Sequence, residues 1–75
     1  MKPSCEDILL KTAGKNVRSF RLKARLTQEE AAARSDIDVK HLQKIEAGGI
    51  NVTLKSLARI AATLKTSPDR LLRGR

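Results

Sequence analysis

Between Lys40 and Ile45, four hydrogen-bonding side chains (Lys40, His41, Gln43 and Lys44) are spaced around two apolar ones, Leu42 and Ile45. On a helix, that spacing separates a buried side from a face of donors, with Val39 at its start. A lysine ammonium donates to guanine O6 and N7, a glutamine amide can pair with an adenine edge, and valine packs against a thymine methyl. The segment therefore suits the major groove of duplex DNA. His41 suits either a base, a phosphate or plain solvation, and Gln43 either reads adenine or sits over the sugar-phosphate chain. Asp38 is the anion in this set. It fits as the helix N-cap, and its charge would also reject competing sequences by repulsion.

Catalysis finds no foothold. The acids Glu29, Glu30, Asp36 and Asp38 read as caps, turn and surface residues, and no nucleophile, base and orienting group cluster together. No enzyme activity is expected. His41 has no second His or Cys nearby, so no metal site and no cofactor are expected either.

The elements that position the donor face follow from capping and periodicity. Leu9, Ala13, Val17, Phe20 and Ala24 step at helical spacing, with Ser4 as the N-cap and Glu6-Asp7 in the first turn. Gly14 weakens this stretch by roughly 1 kcal/mol relative to alanine, and the earlier start, at Ser4, is preferred over one near Thr12. Thr27-Gln28-Glu29-Glu30 is a capping box that opens a second helix running to about Arg34, with Ala31 and Ala32 inward. Ser35-Asp36-Ile37 forms a turn in which Asp36 tolerates a left-handed backbone. Helix three follows on Leu42 and Ile45, ending at Gly48-Gly49. Thr53 caps a fourth helix with Leu54, Leu57, Ile60, Ala61 and Leu64 on one face. Ser67-Pro68-Asp69 starts a short fifth helix carrying Leu71 and Leu72. The fold class is all-α, with five helices.

Sixteen Lys+Arg against eight Asp+Glu give a formal charge of +8, which points to a polyanionic partner, nucleic acid first. One aromatic residue, Phe20, is too few for the stacking platforms of single-strand and RNA binders. The lone Cys5 allows no intrachain disulfide. No apolar run reaches membrane-spanning length, so a reducing cytoplasm and no membrane association are expected. Seventy-five residues suit one small domain, for which oligomerisation is a common supplement to a small core.

Leu26-Thr27-Gln28-Glu29-Glu30-Ala31-Ala32, Ile45-Glu46-Ala47-Gly48, Asn51-Val52-Thr53-Leu54-Lys55-Ser56-Leu57 and Ile60-Ala61 through Ser67-Pro68-Asp69-Arg70-Leu71-Leu72 stand in linked order. In these segments the chain resembles the Cro/C1-type (XRE) helix-turn-helix family of bacterial and phage repressors. The resemblance implies a five-helix, lambda-repressor-like DNA-binding domain over residues 13–72, an N-terminal extension over 1–12 that begins helix one, and a tail over 73–75. Ile8-Leu9-Leu10-Lys11, Arg34-Ser35-Asp36-Ile37-Asp38 and Asn51-Val52-Thr53-Leu54 look most like controller proteins of restriction–modification systems. Val39-Lys40-His41 departs from the Arg-Thr-Tyr those proteins carry, which alters the target sequence rather than the binding mode.

The family likeness implies roles. Val39, Lys40 and Lys44 would reach base edges, with His41 and Gln43 beside them. Gln28 would contact a DNA phosphate, aided by the helix N-terminus, and Gly49, Asn51 and Thr53 would bond the sugar-phosphate chain. Arg21 would pair with Glu46 to orient helix three. Lys15, Arg18, Lys23 and Arg25 would contribute only their field. Ile50, Pro68, Leu71 and Leu72 would make a homodimer contact, though they serve equally as core of one subunit. The function so implied is a sequence-specific, homodimeric transcription regulator on a near-palindromic operator, with no small-molecule effector. The other reading is a protein-interaction module, an antitoxin or coactivator-type adaptor on the same fold.

Overall fold

Each expected helix forms, and the capping chemistry explains where each one starts. The computed structural model describes residues 4–49 and 52–73. Within them lie α1 (Cys5–Lys23), α2 (Gln28–Arg34), α3 (Val39–Ala47), α4 (Leu54–Thr63) and α5 (Pro68–Leu72). No strand occurs among the described residues. Ser4 and Asp7 make a reciprocal capping box at α1, which settles the earlier start. At α2 the Glu30 amide donates to Thr27 Oγ1 at 3.0 Å, and the Thr27 amide donates to Glu30 Oε1 at 2.9 Å. That second bond holds the Glu30 carboxyl below its ordinary pKa. Ser67, by contrast, makes no side-chain cap bond at α5.

The helix ends share one solution. After α1, α2 and α4 the chain passes through a left-handed residue, respectively Arg25, Asp36 and Lys65. The following amide then reaches back five residues, as Leu26 does to the Arg21 carbonyl at 3.1 Å and Ile37 to that of Ala32 at 3.0 Å. This arrangement satisfies carbonyls that a helix end leaves free and turns the chain sharply. Gly48 (φ +73°) ends α3 in the same region.

The core gathers Val17, Leu26, Ala31, Ala32, Leu42, Ile45, Leu57, Ile60, Ala61, Leu64 and Leu71 between the helices. Small residues let helices meet closely: Ala31 and Ala32 on α2, and Ala13 and Gly14 on α1, are all buried. Two hydrogen bonds tie distant elements together. Asn16 Nδ2 donates to the Leu71 and Arg73 carbonyls at 2.9 Å each, fixing the end of α5 on α1. Ser35 Oγ donates to Thr63 Oγ1 at 2.8 Å, joining the α2 C-cap to α4.

Three periodic positions fall outside the core. Leu54 is 79% exposed and Leu9 47%, while Ala24 is the exposed C-cap of α1. Leu54 and Leu9 lie on the expected stripes, but each sits in the first part of its helix, where no other helix among the described residues buries it.

Candidate nucleic-acid interface

The site is built on α3, whose two sides are chemically separate. Leu42 and Ile45 are 1% and 2% exposed, and burying each contributes roughly 1.5–3 kcal/mol toward holding the helix in place. The opposite side carries exposed Lys40, Gln43 and Lys44, flanked by half-buried His41. Val39 packs partly against the core, leaving only its outer surface for contact. Asp38 takes the N-cap role, its Oδ1 accepting from the Lys40 amide at 3.0 Å. Part of its charge is thereby spent on the helix end.

The orientation of α3 is fixed by a compact polar network. Arg21 Nε donates to Glu46 Oε2 at 2.7 Å and Arg21 Nη2 to Glu46 Oε1 at 3.0 Å. Arg21 Nη1 donates to the Leu26 carbonyl at 2.9 Å. The two charged side chains are 9% and 5% exposed, so this pair is a buried, two-point clamp rather than a surface contact. The Glu46 carboxylate, mainly through this hydrogen bonding, raises the already high pKa of Arg21. Because Leu26 N–H also returns to the Arg21 carbonyl, one arginine links α1, the α1–α2 turn and α3.

Gln28 joins the same network, its Nε2 donating to Glu46 Oε1 at 3.0 Å. The residue expected at a phosphate is thus held by the glutamate that holds α3. An open cleft of about 370 Å³ lies over this network, lined by Arg18, Arg21, Gln28, Gln43, Glu46 and Ala47. Arg18 therefore has a defined place beside α2 and α3. Its signal was the i, i+3 spacing Arg18–Arg21, matched by Gln43–Glu46 across the helix contact.

Other expected contacts divide. The Gly49 amide donates to the Lys44 carbonyl at 3.1 Å, so the helix end uses the donor expected for phosphate. Thr53 Oγ1 accepts from the Ser56 amide at 3.1 Å as the α4 cap and remains exposed. Asn51 and Ile50 lie outside the described residues. Of the other expected dimer contacts, Leu71 is 0% exposed and belongs to its own subunit's core, the second of the two roles open to it. Pro68 is exposed and Leu72 half-buried. Among the described residues no three His, Cys, Asp or Glu side chains gather as a metal site. No helix there is long and apolar enough to cross a membrane.

Comparison with solved structures finds the same architecture in regulators. The restriction–modification controller protein C.AhdI from Aeromonas hydrophila is 31% identical, with 83% of this chain and 94% of that chain covered and a TM-score of 0.80. The clp gene regulator ClgR from Corynebacterium glutamicum is 30% identical over 85% of this chain and 68% of that one, at a TM-score of 0.81. A hypothetical transcription factor, NHTF from Neisseria, is 26% identical over 97% and 84%, at 0.85. No curated protein matches the sequence. The helix-turn-helix family model HTH_3 matches residues 17–71, a span that holds the whole of α2, the turn at Asp36 and α3. The chain belongs to the Cro/C1-type helix-turn-helix family of DNA-binding regulators.

Proposed function

We propose that the protein is a sequence-specific regulator of transcription that binds duplex DNA as a homodimer. The observation that carries this reading is the two-sided α3. Its donor face of Lys40, Gln43 and Lys44 is free, while Leu42, Ile45 and the Arg21–Glu46 clamp fix its pose. A rigid helix presenting cationic and amide donors is what major-groove readout requires. Lys40 and Lys44 reach guanine edges, Val39 offers its outer surface to a thymine methyl, and His41 flanks them. Gln28 and Thr53 meet the sugar-phosphate chain. The reaction class is binding, not catalysis, and calls for no cofactor.

The partner for dimerisation is a second copy, through an apolar face. Ile8 and Leu9 on α1 and Leu54 on α4 are exposed, and Leu72 lines both shallow clefts beside them. An isologous contact there would bury these leucines twice over. The two α3 helices would then enter successive major grooves, about 34 Å apart. The similarity to a restriction–modification controller protein and to a clp gene regulator supports the regulatory reading.

The deciding experiment is selection of bound duplex from a random library, followed by titration of the winner against scrambled DNA. An inverted-repeat winner preferred on the order of 10³-fold is expected. Equal, steeply salt-dependent binding to every duplex would mean charge alone and would move the adaptor reading forward.

A further inference from the structure

We propose that the cleft between α1 and α5 is a docking site for an acidic protein segment that carries an apolar side chain among its carboxylates. The inference goes beyond the DNA-binding reading and stands without it. The cleft is open, about 370 Å³ in volume, and lined by Asn16, Ser19, Phe20, Lys23, Arg70 and Arg73.

Three cations meet there, and one of them is paired. Arg73 Nη2 donates to Asp69 Oδ2 at 3.2 Å, whereas Lys23 and Arg70 form no ion pair among the described residues. Counting Asp69, three positive charges stand against one negative, so the cleft attracts anions. Arg70 offers a planar fork that takes a carboxylate at two points, with the Lys23 ammonium as a point charge beside it. The frame is set before any ligand arrives. Asn16 Nδ2 donates to the Leu71 and Arg73 carbonyls at 2.9 Å each, so both arginines ride on a helix end already pinned to α1. Little further ordering is then needed on binding.

Phe20 selects a peptide over a nucleic acid. Its ring packs against the core and carries the Lys23 ammonium 5.7 Å from its centroid, so a base finds no open face for stacking. The remaining edge of the ring, with the methylene stems of Lys23 and Arg70, makes an apolar strip bordered by charge. A backbone of phosphates and sugars would leave that strip uncovered. A segment of Asp and Glu around one phenylalanine or leucine covers it and answers the cations.

The cleft is separate from the other two surfaces. At about 100° per residue, Asn16, Phe20 and Lys23 stand about 140–160° around α1 from Arg18, which lines the cleft beside α3. By the same geometry Arg70 stands about 160° around α5 from Leu72, the residue on the apolar face. A duplex held by α3 and a second copy on the apolar face both leave the α1–α5 cleft open. A partner can therefore be held while the protein is on DNA.

The test titrates the isotope-labelled full chain by NMR with a short synthetic peptide of Asp and Glu around one phenylalanine. The peptide should shift the backbone amides lining the α1–α5 cleft and leave those of Lys40 and Lys44 in place. Lys23 and Arg70 are exposed, so a chain with Lys23→Gln and Arg70→Gln should fold, and it should bind the peptide at least about tenfold more weakly. Replacing the peptide's acids by their amides, or its phenylalanine by alanine, should each weaken binding by about tenfold. Unchanged affinity in any of these three comparisons overturns the proposal, as do shifts centred on Lys40 and Lys44. A duplex oligonucleotide that shifts the cleft amides in place of those of α3 makes the patch a nucleic-acid surface and overturns it too. A duplex that shifts neither set removes the DNA-binding reading and leaves the peptide result standing.

Discussion

Gly14 on α1 lies directly beneath the last turn of α3: a Cβ built on it would stand 2.8 Å from the Glu46 carbonyl oxygen and closer still to that of Ile45. The glycine that weakens α1 as an isolated helix is therefore the condition for α1 and α3 to touch. Both obstructing atoms are backbone, so no side chain can swing aside. Gly14→Ala should gain about 1 kcal/mol of helix propensity and lose more, since overpacking alone costs about 1–3 kcal/mol. The expected outcome is a lower melting temperature, together with weaker DNA binding as α3 is pushed outward. A melting temperature at or above wild type would refute the close-contact explanation.

Arg21→Ala should be the costlier change. It leaves the Glu46 carboxylate, 5% exposed, with only Gln28 for a partner, and it strips the Leu26 carbonyl of its Nη1 donor. Breaking a buried pair from one side costs roughly 3 kcal/mol or more. Denaturant unfolding should show that loss, and titration should show reduced affinity on operator and scrambled duplex alike. Removing both charges, as Arg21→Met with Glu46→Leu, should cost less than the sum of the single changes. Additive losses, or an Arg21→Ala protein with an unchanged midpoint, would contradict the clamp.

Much of this was legible in the chain itself, because capping and periodicity are local. Ser4, Thr27, Asp38 and Thr53 each cap the helix expected of them, and Asp36 takes its left-handed turn at φ 58°. What stayed hidden depends on contacts between distant segments. Leu71 looked as suited to a partner as to its own core, since only the docking of α5 on α1 through Asn16 decides between them. Gly49 looked like a phosphate donor until its amide was found on the Lys44 carbonyl. Leu54 fits the α4 stripe perfectly in sequence, yet among the described residues it stays 79% exposed. Arg18 gave a charge in sequence, and only the meeting of three helices gives that charge a place.

The left-handed ends offer a gain in stability. Lys65 holds φ 56° after α4, exposed and without glycine's freedom. That conformation costs an L-residue about 1–2 kcal/mol, while glycine carries a larger entropy loss on folding of about 0.4–1 kcal/mol. Lys65→Gly should therefore stabilise by about 0.5–1 kcal/mol, visible as a rise in the thermal midpoint. The amide of residue 65 keeps its bond to the Ala62 carbonyl, so the turn itself is unaltered. A fall in the midpoint would show that the lysine side chain supplies an interaction that outweighs its backbone strain.

The dimer face is tested most directly at Leu54, since a residue 79% exposed contributes little to its own subunit. Surface substitutions of this kind usually shift stability by less than about 0.5 kcal/mol, so Leu54→Glu should fold. In an isologous contact the new carboxylate appears on both sides of the twofold, close to an apolar surface that cannot solvate it. Sedimentation equilibrium should then show a monomer at concentrations where wild type is a dimer. Binding to a duplex with a single half-site should be unchanged, while the advantage of the full inverted repeat should disappear. Leu22→Glu supplies the control. Leu22 is 54% exposed on the same protein but lines neither apolar cleft, and its substitution should leave the dimer intact. If Leu54→Glu sediments as wild type does, the second copy docks elsewhere, and the exposed leucines of α1 and α4 need another occupant.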